Sequence, residues 1–500
     1  MMSQTVLVLD FGGQYKELIA RSVRNAGVYS VIKHGSMPAQ QIKALNPIGI
    51  ILTGGPNSVY GKNAVSYDRE LFNLGIPILG ICYGMQLMCY VLGGEVGRGS
   101  VGEYGSVCVT PTNGGKPFTA LMSHRDVCLK PPLGFTVTAA TSNNIASFEN
   151  AEKKLYGVQF HPETAHTQGG KEIIKHFLFS VCAAKGDYRL DGYIKNQVSR
   201  IQAQVQSERV LLGLSGGVDS SVCAALLSQA IPNRLVCVFV DHGFMRAGEG
   251  DEIERIFKEK SLNFIRVNAA QRFLARLKGV TEPEQKRKII GEEFVRVFEE
   301  EAKKLGSIPF LAQGTIYPDI VESGGEKGAV IKSHHNVGGL PERLGFKAVI
   351  EPLSGLFKDE VRKIGRKLGL PAALTFRQPF PGPGLAIRIM GEVTAQKLET
   401  LRRADAIVRE ELLRRKKPPS QFFAVLTDTF SVGVKGDDRT FDRVIAVRAV
   451  QTDDFMTCAY APIPHTLLRK ISERITNEVE GVSRVVYDIT AKPPSTVEWE

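Results

Sequence analysis

The chain is 500 residues long, with a mass of 54.8 kDa, 43% hydrophobic and 23% charged residues, and a mean hydropathy of -0.06. That length suits roughly three domains of ordinary size, and the composition is that of a soluble globular protein. No run of eighteen or more apolar residues exists, so no membrane-spanning helix is expected.

Met1-Met2-Ser3-Gln4 leads straight into strand-like sequence, so no signal peptide is expected. The eight cysteines are scattered without a CxxC spacing, which fits a reducing, cytoplasmic setting with most thiols in packing roles. The net charge of +11 admits a nucleic-acid partner. Yet the basic residues are spread out, in short clusters such as Lys286-Arg287-Lys288 and Arg414-Arg415-Lys416-Lys417. The second cluster lies in a polar stretch without interleaved aromatics. A basic surface that steers phosphorylated small molecules is therefore expected, with no nucleic acid and no membrane as partner.

Residues 1–186 alternate strand and helix patterns, as a doubly wound α/β sheet does. Strands are expected at 5–9, 48–52 and 76–81, with helices at 14–26 and 85–92. Short β runs follow at 106–109, 126–129 and 135–139. A polar helix ending near residue 206 reads as a connector. A second strand–helix series over 187–377 places strands at 210–214, 235–240, 264–267, 310–313 and 348–351. A long amphipathic helix spans 282–305, and the Gly-rich stretch 336–341 is expected to move. From Gln378-Pro379-Phe380-Pro381-Gly382 onward the composition changes. Residues 378–500 read as a small α+β module, with helices at 394–413 and around Leu467–Val479 positions, and strands at 422–426, 444–450 and 484–489.

Two stretches carry chemistry. Ser215-Gly216-Gly217-Val218-Asp219-Ser220-Ser221 sits between a buried strand and a helix. There, free backbone N–H groups and the positive helix end favour a bound anion. No Lys follows the glycines, so this is not a loop that grips a γ-phosphate. It suits pyrophosphate, with Asp219 placed to orient a donor or hold Mg²⁺. The second stretch, Gly80-Ile81-Cys82-Tyr83-Gly84, has the strand–nucleophile–helix form with Cys in place of Ser. His161 and Glu163 end another apolar strand and are the expected base and orienting carboxylate for Cys82. Gly54 and Gly55 end a third strand and are expected to supply oxyanion-hole N–H groups.

GICYGMQ together with VQFHPE resembles the class I glutamine amidotransferases, and LSGGVDSS resembles the ATP-pyrophosphatase group. Their order, and blocks such as QGTIYPD, LFKDEVRKIG, PFPGPGL and KPPSTVEWE, are similar to the glutamine-hydrolysing GMP synthase family. The resemblance covers nearly the whole chain. It implies an amidotransferase domain (1–186), an ATP-pyrophosphatase domain (187–377) and a C-terminal dimerisation and xanthylate-binding domain (378–500). The substrates implied are glutamine, ATP and xanthosine 5′-monophosphate (XMP), with Mg²⁺ as cofactor and a homodimer as the assembly. Tyr83 and Gln86 join Gly54 and Gly55 at the glutamine site. Lys358 and Asp359 lie near the ATP phosphates, and Arg484, Lys492 and Glu498 in the XMP segment. His334-His335-Asn336 resembles the family's lid.

One departure concerns the glutamine pocket: the family pattern SHGD is Ser123-His124-Arg125-Asp126 here, which replaces a small, flexible residue with a bulky cation. A tRNA-thiolating enzyme with the same loop type would need a second catalytic cysteine and an aromatic-studded basic module, and neither is evident. A catalytically silent nucleotide-binding protein is disfavoured by the intact Cys82, His161 and Glu163 set.

Overall fold

The computed structural model describes residues 4–259, 263–322, 345–452 and 457–500. The chain divides into two compact units, Met1–Arg189 and Leu190–Glu500.

The first unit is built on a nine-stranded mixed sheet of order β2-β1-β3-β4-β9-β8-β7-β5-β6. Strands β1 (Thr5–Asp10), β2 (Tyr29–His34), β3 (Gly49–Leu52), β4 (Ile78–Ile81) and β9 (Leu155–Val158) run parallel. Every residue of β3 and β4 is buried, the pattern of strands covered on both faces. The remaining strands, β5 (Glu95–Pro111), β6 (Phe118–Lys130), β7 (Thr136–Ala140) and β8 (Ile145–Asn150), pair antiparallel.

β2 is absent from the strands expected from sequence, because its polar residues interrupt the apolar signal at the sheet edge. β5 and β6 are far longer than the runs 106–109 and 126–129. Their exposed Gly, Ser and charged positions alternate with the buried ones, and a register shift falls between Arg98 and Glu103.

The second unit carries a parallel sheet of order β12-β11-β10-β13-β14. Its strands are β10 (Val210–Leu214), β11 (Leu235–Asp241), β12 (Asn263–Asn268), β13 (Phe310–Ala312) and β14 (Ala348–Ile350). β10 is central and leads into the helix Val218–Ala230. The long helix Pro283–Lys304 starts on a proline at its first turn, where a missing N–H is harmless, and Glu282 accepts from Gln285 N. Lys286 on this helix is fully buried, bonded to Ile389 O at 2.7 Å and to the Glu500 carboxylate. The basic cluster read from sequence as surface is therefore partly internal: a cation paired with a distant carboxylate can be buried where a lone one cannot.

Strands β15 (Gln421–Lys435), β16 (Asp438–Gln451) and β17 (Ala459–Tyr460) form an antiparallel sheet, with β18 (Val482–Asp488) added parallel to β16. Helices Ala395–Leu413 and His465–Glu478 pack on it. One continuous apolar core joins Val236 and Val238 of the parallel sheet to Leu401, Ile445 and Ile475. Residues 378–500 thus share their interior with the parallel-sheet part of the unit. His334-His335-Asn336 lies outside the described residues.

Candidate active sites

In the first unit, Cys82 stands between β4 and the helix Tyr83–Val91 with φ 54° and ψ −107°. A non-glycine residue held there is strained, and the strain lifts its side chain off the sheet edge. The turn is possible only because Gly80 and Gly84 pack backbone on backbone. A Cβ on Gly80 would meet Gly84 O at 2.5 Å, and one on Gly84 would meet Leu52 O at 2.5 Å.

β3, β4 and β9 are neighbours, so Gly54, Cys82 and His161 converge at the carboxyl ends of three adjacent parallel strands. A Cβ on Gly54 would lie 3.3 Å from His161 Cε1 and 3.8 Å from Cys82 Cβ. His161 Nδ1 is 2.8 Å from Glu163 Oε1, leaving Nε2 for the thiol. Thr167 Oγ1 donates to His161 O at 2.7 Å and fixes the turn that presents the ring. Burial pushes the His161 imidazolium down, but Glu163 and Cys82 outweigh it and hold its pKa up at about 10.

A cavity of about 590 Å³ opens over Cys82 and His161, lined also by Gly54, Gly55, Gln86 and Asp126. Gln86 Nε2 is already engaged, donating to Asp126 O at 2.7 Å. The Tyr83 ring is buried against Phe11, with ring centroids 5.5 Å apart, and does not line the cavity. Only its backbone faces the nucleophile turn.

In the second unit, the loop after β10 turns at Gly216 (φ 74°) into the helix beginning at Val218. Ser215 Oγ lies 3.1 Å from Ser220 Oγ and accepts from Gly217 N at 3.3 Å. Ser221 Oγ is buried with no hydrogen-bond partner among the described residues. Lys358 starts the helix Lys358–Lys367 and donates to Asp219 Oδ2 at 2.5 Å; Asp359 follows in its first turn. Asp219 Oδ1 is buried with no hydrogen-bond partner among the described residues.

Arg377, not singled out from the sequence, donates to Gly216 O at 2.9 Å. Its guanidinium lies 5.7 Å from the Phe380 ring, which Arg246 and Arg388 also approach, at 4.1 and 5.3 Å. Burial, together with neighbouring arginines, pushes Arg246 and Arg377 down to about 9. Arg388, fully buried, forks onto Glu498 at 2.7 and 2.9 Å. Glu498 is thus linked to the Gly216 loop through Arg388, Phe380 and Arg377. The only sequence signal for Arg377 and Arg388 is their place around the Pro- and Gly-rich stretch 379–384, which by itself reads as a loop.

Lys492 lies in the same C-terminal segment as Glu498, its backbone bridged to Cys458. Arg484 is held elsewhere: its Nε donates to Ser431 Oγ at 2.7 Å on the β15 side of β18. The structure therefore does not bring Arg484 together with Glu498. Cys108, expected in a packing role, is exposed.

Three family models match the chain: glutamine amidotransferase class-I over residues 7–181, NAD synthase over 189–290, and GMP synthase C terminal domain over 410–499. A glutamine-hydrolyzing GMP synthase of Treponema denticola is 56% identical over 510 residues, covering 100% of this chain and 97% of its own. Those of Agathobacter rectalis and Acetivibrio thermocellus are 55% and 54% identical, each covering 100% of both chains. A solved glutamine amidotransferase from Thermotoga maritima covers 36% of this chain and 84% of its own, with a TM-score of 0.28 and 19% identity. The class is thus a class I glutamine amidotransferase joined to a nucleotide-activating synthetase. Within that class, the chain belongs to the glutamine-hydrolyzing GMP synthase family.

Proposed function

We propose that this chain makes GMP from XMP, ATP and glutamine at two sites. The observation that carries the reading is the strand-end line Cys82–His161–Glu163 in the same chain as a phosphate loop lacking a γ-phosphate lysine. In the first half-reaction, Cys82 Sγ attacks the γ-carboxamide carbon of glutamine. The developing oxyanion is received by backbone N–H groups of Gly55 and Tyr83. His161 gives its proton to the departing ammonia, and water then cleaves the thioester to glutamate with His161 as base. Glu163 holds the ring through Nδ1 and balances its positive charge.

In the second half-reaction, the C2 oxygen of XMP attacks the α-phosphorus of ATP and pyrophosphate leaves into the cradle of Ser215, Gly217, Ser220 and Ser221 N–H and O–H groups. Ammonia then displaces AMP at C2. Activation is needed because ammonia is a poor nucleophile and an unactivated C2 oxygen a poor leaving group.

The partnerless Asp219 Oδ1 fits Mg²⁺ held by one carboxylate plus phosphate oxygens and water. Among the described residues no group of three or more His, Cys, Asp or Glu is arranged as a self-sufficient cage. Mg²⁺, when bound there, neutralises phosphate charge. Lys358 shares Asp219 and reaches the same anion. The arginines around Phe380 provide positive charge for the XMP phosphate beside Glu498 and Lys492. Residues 378–500 are proposed to carry a homodimer contact.

Replacing the nucleophile separates the two sites. Cys82→Ala is expected to abolish glutamine-dependent GMP formation while ammonium salts still drive it. Loss of the ammonia-driven reaction in a folded Cys82→Ala protein would overturn the two-site reading. Asp219→Ala is expected to stop both, measured as pyrophosphate release with either nitrogen source.

A further inference from the structure

The peptide between Gly216 and Gly217 lies at the turn of the loop after β10, and its own residues do not fix its plane. Neither glycine carries a Cβ, so the plane can swing at little steric cost. Its orientation matters, because in a trans peptide the carbonyl and the following N–H point opposite ways. Whichever side receives Gly216 O, the Gly217 N–H faces the other.

Arg377 fixes the side. Its Nη1 donates to Gly216 O at 2.9 Å, and its Nη2 is paired with the Glu249 carboxylate. The Gly217 N–H, turned away from Arg377, donates to Ser215 Oγ at 3.3 Å, and that hydroxyl lies 3.1 Å from Ser220 Oγ. The N–H is thus directed toward the hydroxyls of the cradle.

The surroundings hold this clamp in place. The Arg377 and Glu249 side chains are 12 and 7% exposed, and parting so enclosed a pair would strand a buried charge. Glu249 opens the helix Glu249–Glu259 and accepts from Arg246 N at 3.2 Å. One turn further on the same helix face, Ile253 backs the loop: a Cβ on Gly216 would meet Ile253 Cδ1 at 2.4 Å. Next to Arg377 in the chain, the Gln378 side chain exchanges two hydrogen bonds with the backbone of Phe422, at 2.8 and 3.0 Å. A guanidinium serves two acceptors at a fixed spacing, which a single ammonium does not.

We infer that Arg377, oriented by Glu249, is a positioning residue for the departure of pyrophosphate. It holds the Gly216 carbonyl away from the cradle, so that the Gly217 N–H meets the leaving phosphate oxygens. The inference rests on the reading of residues 215–221 as the pyrophosphate cradle.

The test uses the full chain with an ammonium salt as nitrogen source, so that Cys82 takes no part. GMP formation and its inhibition by inorganic pyrophosphate are measured for the wild type, Arg377→Met, Arg377→Lys, Glu249→Gln and the double variant Glu249→Gln with Arg377→Met. In Arg377→Met, kcat should fall by about 10²-fold, the effect of losing one preorganised N–H donor. Pyrophosphate inhibition should weaken by roughly 10-fold. Arg377→Lys, which keeps one donor, should recover part of both. Glu249→Gln should move both in the same direction by less, and the double variant should be no worse than Arg377→Met, because Glu249 acts through the arginine. The double variant removes both charges of the pair together, so it carries the test if Arg377→Met does not fold. Wild-type pyrophosphate inhibition in a folded variant lacking Arg377 overturns the proposal. So does a change confined to the KM for XMP, which would make Arg377 a ligand of that phosphate alone. Additive losses in the double variant overturn the part given to Glu249. Pyrophosphate that failed to inhibit the wild type would instead overturn the reading of the loop, so the two failures are distinct.

Discussion

At His161 two opposing effects meet. Burial disfavours the charged ring, while the Glu163 carboxylate 2.8 Å from Nδ1 and the Cys82 sulfur favour it, and the balance leaves its pKa at about 10. Replacing Glu163 by Gln keeps the shape and a hydrogen bond but removes the charge. The glutamine-dependent kcat is expected to fall by about 10²-fold or more, within the range for loss of a positioned acid–base group. The pH dependence has a definite sign. Because the folded pKa lies above the unfolded value of about 6.5, the pair stabilises the fold fully below about pH 6.5. That stabilisation is lost as pH rises towards about 10. The melting temperature of the wild type should therefore exceed that of Glu163→Gln most near pH 6.5, and the gap should close by about pH 10. A gap that widened with pH over this range would mean the ring is not held as a cation.

The C-terminal segment depends as an element on one buried arginine. Arg448 on β16 is fully buried and donates to Asp488 Oδ2, Thr490 O, Ser495 Oγ, Thr496 O and Val497 O, at 2.7 to 3.1 Å. These bonds pin the stretch that carries Lys492 and Glu498. Lys has one ammonium where Arg has a planar fork, so Arg448→Lys leaves several of these part-buried acceptors unserved. It should destabilise the second unit by about 3 kcal/mol, raise the KM for XMP and speed hydrogen exchange over residues 488–498. Unchanged exchange there would show that the segment is held by other contacts.

None of this is written in local sequence, since Arg448 and its acceptors are 40 to 49 residues apart. By contrast, Val210–Leu214 and the loop after it are legible from sequence. A strand buried at every residue but Gly213 reads as a short apolar run, and glycines must stand where the backbone reverses. The nucleophile turn is legible for the same reason, through Gly80 and Gly84. The β15–β16 hairpin beyond Leu426 is not. Its Phe430, Val432 and Val434 alternate but face solvent, between Ser, Gly and charged positions, so the buried apolar run ends at Leu426 although the strand continues. Arg377 and Arg388 escape for a further reason, in that their value lies in meeting Phe380 and Glu498 in space.

That same hairpin bears on the whole molecule. Phe430, Val432 and Val434 alternate along β15 and so share a face, and Phe441 on β16 stands opposite Val432 in register. Phe430 and Phe441 stack at 5.3 Å, and Arg443 lies over Phe430 at 4.4 Å. Val432, Val434 and Phe441 are 60, 71 and 67% exposed, although valine and phenylalanine at such a density normally lie inside. A hairpin with an uncovered apolar face invites association unless something caps it. A second copy of the chain offers the same face, and a two-fold arrangement places each hairpin against its equivalent without leaving a further edge open. The chain should therefore sediment as a dimer, and Val432→Lys combined with Phe441→Glu should shift it to the monomer. The substituted positions are mostly exposed and give up little beyond the Phe441 stack on Phe430, so the monomer should lose no more than about 1.5 kcal/mol and stay folded. A double variant that still sedimented as a dimer would move the contact away from this hairpin.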